Sequence, residues 1–106
     1  MKIESLNEIF GKKMEILELL LTCTNYQLRL SLNFCVNEKR MTAYFYNVSR
    51  IHIKELSFPI EIHGFMITNH RQEGWEEDSM YQIFDCEDGH ICFFCEDFAF
   101  YNIDSQ

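Results

Sequence analysis

Tyr26-Gln27-Leu28-Arg29-Leu30-Ser31-Leu32-Asn33-Phe34-Cys35-Val36 is the stretch that decides the fold. Tyr26, Leu28, Leu30, Leu32, Phe34 and Val36 alternate with Gln27, Arg29, Ser31, Asn33 and Cys35. Side chains of an extended strand point alternately to opposite faces, so this run buries one face and wets the other. Immediately before it, Met14–Thr24 reads as a second strand that turns at Thr24-Asn25. Ile16, Leu17, Leu19, Leu20 and Leu21 also suit a helical face, so a helix competes for this segment. Thr22-Cys23-Thr24 favours the strand, because threonine packs better on a pleated surface than inside a helix.

Outward from this pair the period stays at two. Residues 4–10 suit a short helix or coil ending at Gly11. Asn37-Glu38-Lys39-Arg40 is a polar turn, and residues 41–48 form a strand rich in Tyr44, Phe45 and Tyr46. The apolar phase changes at Asn47-Val48-Ser49, after which Ile51 and Ile53 alternate with Arg50, His52 and Lys54. Such a change implies a bulge or a turn between two strands. Ser57-Phe58-Pro59 is a break. Residues 60–68 form a further strand with Gly64 inside it, where a bulge or a close backbone approach is common. Residues 69–79 are a long polar loop around Trp75.

The C-terminal part reads as a hairpin of residues 80–87 and 90–96 about an Asp88-Gly89 turn. A two-residue turn sets Phe84 opposite Phe93 and Ile83 opposite Phe94, making both faces apolar near the middle. Residues 98–103 add a last short strand. About seven strands with at most one short N-terminal helix define an all-β fold, an antiparallel β-sandwich or a partly open barrel, with the sandwich preferred.

The chain of 106 residues is one domain, spanning 1–106. A hydrophobic share of 47% with 15% aromatics suffices for a core. The longest apolar run, residues 16–21, is interrupted by Glu18 and falls far short of the roughly 20 residues a spanning helix needs. Met1-Lys2-Ile3-Glu4-Ser5 has no secretory signal pattern, and the five cysteines are an odd number. Both observations predict a cytoplasmic protein with reduced thiols.

Charge is divided along the chain. All nine basic residues lie in residues 1–71 against seven acids, a net of +2, whereas residues 72–106 carry ten carboxylates and no lysine or arginine. That last third also holds eight aromatics, so it can fold rather than remain an acidic tail. With a net charge of −8 the phosphate contribution to nucleic-acid binding is adverse, and a basic protein partner is the expected counterpart. The candidate contact residues are Glu73, Trp75, Glu76, Glu77 and Asp78 on the long loop, with Asp85, Glu87 and Asp88 at the hairpin tip. Tryptophan is a favoured interface anchor, and four acids surround this one.

Chemistry-bearing motifs are weak. Cys92-Phe93-Phe94-Cys95 has CxxC spacing, but within a strand its two thiols point to opposite faces and no second CxxC exists, so no metal site is expected. Asp85, Glu87 and Asp88 around Gly89 lack the alternating oxygen ligands of a calcium loop. His52, His63, His70 and His90 are scattered, with no nucleophile motif beside them. No catalytic residue and no cofactor is therefore assigned, and the chain is expected not to be an enzyme. A small-ligand or enzymatic barrel is the alternative, with His63, Tyr44 or Tyr81 in its pocket. A homodimer through the two-faced C-terminal hairpin is a third reading.

One set of segments carries a resemblance. A strand of the type of residues 15–21 turns into residues 28–34. Phe45-Tyr46-Asn47-Val48-Ser49-Arg50-Ile51-His52-Ile53 and Ile62-His63-Gly64-Phe65-Met66-Ile67 follow. Tyr81-Gln82-Ile83-Phe84-Asp85-Cys86-Glu87-Asp88-Gly89-His90-Ile91-Cys92-Phe93-Phe94-Cys95 completes the set. Over roughly residues 14–103 this arrangement resembles the small all-β immunity proteins encoded beside polymorphic toxins, including the immunity protein 50-like type. The resemblance implies neutralisation of a bacterial toxin by protein–protein binding, and no catalytic residues.

Overall fold

A computed structural model describes residues 13–36, 38–54, 60–70, 81–85, 89 and 91–102. Among them are nine strands: β1 (Met14–Thr24), β2 (Gln27–Val36), β3 (Lys39–Tyr46), β4 (Ser49–Ile53), β5 (Ile60–Ile62), β6 (Phe65–Asn69), β7 (Tyr81–Asp85), β8 (Ile91–Cys95) and β9 (Asp97–Asn102). They build two antiparallel sheets, ordered β5-β1-β2-β3-β9 and β4-β8-β7-β6. The alternation in Tyr26–Val36 is realised along β2: Leu30, Leu32, Phe34 and Val36 are buried, and the residues between them are not. Met14–Thr24 is a strand rather than a helix. The short N-terminal helix or coil expected at residues 4–10 and the break at Ser57-Phe58-Pro59 lie outside the described residues.

The inner faces meet in one core. Phe45 of the first sheet lies against Phe93 of the second, ring centroids 4.9 Å apart and edge to face. Phe100 packs edge-on to both Phe45 and Phe34, at 5.8 and 6.5 Å. Tyr81 bridges the sheets at their other margin by stacking edge-on to Phe98 at 4.9 Å. These geometries suit the ring quadrupole and add roughly 0.5–1.5 kcal/mol per pair to the burial itself.

There are more strands than the expected seven, and the chain changes sheet at several places, one of them inside a run expected as a single strand. At Asn47-Val48 it leaves β3 in the first sheet for β4 in the second. Asn47 takes a left-handed φ of 52°, and the buried Val48 donates its N–H to Leu28 O at 2.9 Å. At His63-Gly64 the expected single strand of residues 60–68 divides into β5, paired to β1, and β6, paired to β7. Gly64 has φ 73°, a conformation in which other residues pay a steric cost. A further crossing, at Glu96, returns the chain from β8 to β9.

The C-terminal hairpin corrects the expected register. Ile83 is opposite Phe93 and Phe84 opposite Cys92, one residue away from the pairing a two-residue turn would set. Five residues separate Asp85 from Ile91, and Gly89 within them has φ 65°. The observed register puts Ile83, Ile91, Phe93 and Cys95 inside together, and leaves Gln82, Phe84, Cys92 and Phe94 half-buried on the outer face.

Replacing the fully buried Phe45 by alanine removes its contacts to Phe93 and Phe100 at once. Urea titration of Phe45→Ala should show a loss of about 3–5 kcal/mol, the usual cost of emptying a buried phenylalanine site. A loss below 1 kcal/mol would mean that this contact does not organise the core.

Candidate functional site

The five-stranded sheet turns one face to the core. No described element covers the other. Outward-pointing side chains line up across its strands. In one row Glu18 accepts from Asn33 Nδ2 at 2.6 Å, and Asn33 Oδ1 accepts from Thr42 Oγ1 at 2.7 Å, tying β1, β2 and β3 together. Beside it, register places Leu20 next to Ser31 and Ser31 next to Tyr44, then Thr22 next to Arg29 and Arg29 next to Tyr46. Tyr101 of β9 pairs with Thr42.

Three tyrosines and one arginine converge there. The Arg29 guanidinium lies 5.4 Å from the Tyr44 ring centroid, and Tyr44 meets Tyr101 edge to face at 5.8 Å. Arg29, Tyr44, Tyr46 and Tyr101 line an open groove of about 350 Å³. A second hollow of about 260 Å³, sharing Arg29 and Tyr46, runs on to Thr24, Asn25 and Gln27 at the β1–β2 turn. Tyr101 is 55% exposed and Leu20 52% exposed, so the patch presents apolar area to solvent. Such side chains offer packing area, cation–π contact and hydroxyl hydrogen bonds, the usual constituents of a protein-binding surface. They contain no nucleophile beside a base.

Of the expected contact residues, Glu73, Trp75, Glu76, Glu77, Asp78, Glu87 and Asp88 lie outside the described residues. Asp85 is described, and it departs from the expectation of a surface contact: it is only 4% exposed. Its Oδ1 accepts the Ile91 N–H at 3.0 Å, joining the ends of β7 and β8 across the loop. The next described acid, Glu96, holds a corner by accepting from Asn47 Nδ2 at 2.9 Å. Asp97 Oδ1 accepts the Phe98 N–H at 2.9 Å. Part of the acidity of the last third is thus committed to main-chain and side-chain donors of the scaffold.

The residues named for a ligand pocket are not gathered. Tyr44 is on the outer face of the first sheet, Tyr81 is between the sheets on Phe98, and His63 sits at the β5–β6 corner on the opposite margin. Thr68 Oγ1 and His70 Nε2 are 2.9 Å apart, a local contact at the end of β6. Arg50 and His52 on β4 and Lys54 just after it are exposed, with Arg50 lying over the Phe94 ring at 5.4 Å. The two thiols of the CxxC occupy opposite faces of β8, Cys92 half-buried and Cys95 buried. Among the described residues no three histidine, cysteine or acidic side chains converge as a metal set would.

Alternation with Met41, Ala43 and Phe45 puts Tyr44 and Tyr46 together on the other side of β3, a usable signal for this surface. It could not bring Arg29 and Tyr101 to them. That adjacency depends on the order β2-β3-β9, and β9 arrives through the long-range pairing of residues 97–102 with 41–46.

Fold and surface together define a small β-sandwich with an aromatic groove open on one sheet face. The chain belongs to an immunity protein family: the family described as Immunity protein PIM8 matches residues 2–101. The resemblance to toxin-associated immunity proteins therefore extends over nearly the whole chain, and membership implies a partner toxin. No curated protein and no solved structure matches it.

Burial pushes the Cys95 thiol up to about 12, with Asp97 adding to the effect. Because the ordinary thiol value is 9.0, the unfolded chain gives up this proton first. The neutral thiol then favours the folded state less and less as pH rises from about 9 to about 12. Alkylation at pH 8 should modify Cys95 only after denaturant is added, as peptide mass mapping will show. Rapid native labelling of Cys95 would contradict the burial.

Proposed function

We propose that this chain is an immunity protein that neutralises a cognate bacterial toxin by binding it in the cytoplasm, without catalysis. The observation that carries the reading is the family match along residues 2–101. The tyrosine–arginine surface supports it, as a place where a partner can bury aromatic anchors. The acid-rich last third supports a basic partner surface, with Glu73, Trp75, Glu76, Glu77, Asp78, Glu87 and Asp88 as proposed contacts. In this division of labour the carboxylates accelerate encounter and reject wrong partners, while the tyrosines slow dissociation.

The product of the gene adjacent to this one, tested as the toxin, is the probe. In a surface-bound binding assay the double variant Tyr44→Ala/Tyr101→Ala should weaken affinity by about 10–100-fold, mainly in the dissociation rate. The triple variant Glu76→Lys/Glu77→Lys/Asp78→Lys should slow association and flatten its dependence on salt. Circular dichroism checks that both remain folded. A wild-type chain that neither binds the toxin nor protects cells from it would sink the reading. An unchanged association rate and salt dependence in the triple variant would remove the acidic contact from it.

A further inference from the structure

The first sheet has an edge that the described strands leave open. β5 covers β1 only at Met14, Ile16 and the residue between them. Past the bulge at Leu17, where the β1–β2 register shifts, no described strand lies beside residues 17–24. This length of β1 is also short of cover on its core side. Leu19, Leu21 and Cys23 follow the inward row of β2, opposite Leu32, Leu30 and Leu28. Yet Leu19 is only half-buried, Leu21 is 42% exposed and Cys23 is exposed. An open ladder with apolar side chains beneath it is a template for another strand.

Natural edges are usually guarded by charge, proline or short length. The outer strands elsewhere follow that rule: β4 carries Arg50 and is followed by Lys54, β9 opens on Asp97, and β6 has five residues. Here the guards stop at Glu18 and the bulge at Leu17. Residues 19–28 contain no charged residue and no proline, in a chain of net charge −8. At the tip Asn25 and Tyr26 have φ 53° and 64°, the two-residue type I′ turn, and Tyr26 is fully exposed. A tyrosine in that conformation is disfavoured, so the tip is not shaped for stability alone.

From this edge we infer that residues 17–24 of β1 pair antiparallel with the same segment of a second copy, joining two five-stranded sheets into one. The turn type fixes the register. Thr24 and Gln27 flank a two-residue loop and form a hydrogen-bonded pair, so Leu19, Leu21 and Cys23 aim their backbone groups away from β2. A two-fold axis at Leu21 sets Leu21 against Leu21 of the second copy, Leu19 against Cys23, Leu20 against Thr22 and Glu18 against Thr24. No like charges meet, and a closed two-fold contact satisfies both edges at once. Two acidic chains approach at least electrostatic cost where neither carries charge.

Light scattering tests this directly. The wild-type chain should run at twice its 12.8 kDa mass at micromolar concentration. Leu21→Lys should run as the monomer with unchanged circular dichroism. Should that variant fail to fold, Leu20→Cys/Thr22→Cys on a Cys23→Ser background gives a positive reading, because oxidation should then lock a covalent dimer in high yield. A wild-type monomer at all concentrations, or a dimer that survives Leu21→Lys and resists the crosslink, overturns the pairing. A monomer whose toxin binding is lost in Leu21→Lys also overturns it, and assigns the edge to the toxin. Toxin affinity of the outer-face variant Tyr44→Ala/Tyr101→Ala is read separately, so failure of the dimer and failure of the neutralisation reading remain distinguishable.

Discussion

Two corners of the chain clasp each other, and the positions of the sheets follow from that clasp. Glu96 donates its N–H to Tyr46 O at 3.0 Å and accepts from the Asn47 side chain at 2.9 Å. A chain that leaves one sheet for another abandons its ladder partners, and buried backbone groups left unpaired are costly. Here the corner leaving the first sheet and the corner re-entering it satisfy one another. Tyr46 is thereby set opposite Asp97, which fixes Phe45 opposite Phe98 and Ala43 opposite Phe100. The same pairing carries Phe45 over Phe93 in the core and Tyr101 beside Tyr44 on the outer face. Core and surface are thus two sides of one register.

How much of this was legible depends on which residues carry the signal. Alternation along Tyr26–Val36 displays the all-β class and the buried face openly, since every second residue obeys it. The threonines of β1 also resolve strand against helix. Sheet membership is harder. Asn47-Val48-Ser49 and Gly64 reveal an interruption, but a bulge within one sheet and a passage between two leave the same trace in the alternation. Asp88-Gly89 misleads for a related reason. A left-handed glycine is compatible with more than one hairpin length, and one residue of difference moves Phe84 from Phe93 to Cys92.

The binding face was only half visible. Tyr44 and Tyr46 share a side of one strand, which periodicity displays, whereas Arg29 and Tyr101 reach them through neighbours set by sheet order. Composition likewise overstated the acidic surface. Asp85 counts as a surface charge in any tally of the last third, yet it sits buried against the Ile91 amide. A carboxylate is a strong acceptor as well as a charge, and a strand end with an amide to satisfy can claim it.

Charge and its absence then divide the surface between two kinds of contact. At physiological salt, charges act over about 8 Å, so an acidic chain repels its copies wherever carboxylates lie within that reach. Residues 19–28 form the longest interval between charged side chains in the described part of the chain, and they also carry the open edge. Pairing there would consume backbone groups and leucines while leaving the tyrosine–arginine groove and the acidic residues available. An immunity protein that met its toxin through charge and aromatic anchors could hold a second copy at the same time, because neither contact would draw on the other's chemistry. Leu20 and Thr22 are where the two surfaces touch, since both lie on the outer face and on the edge strand. Any coupling between toxin binding and self-pairing would have to pass through them.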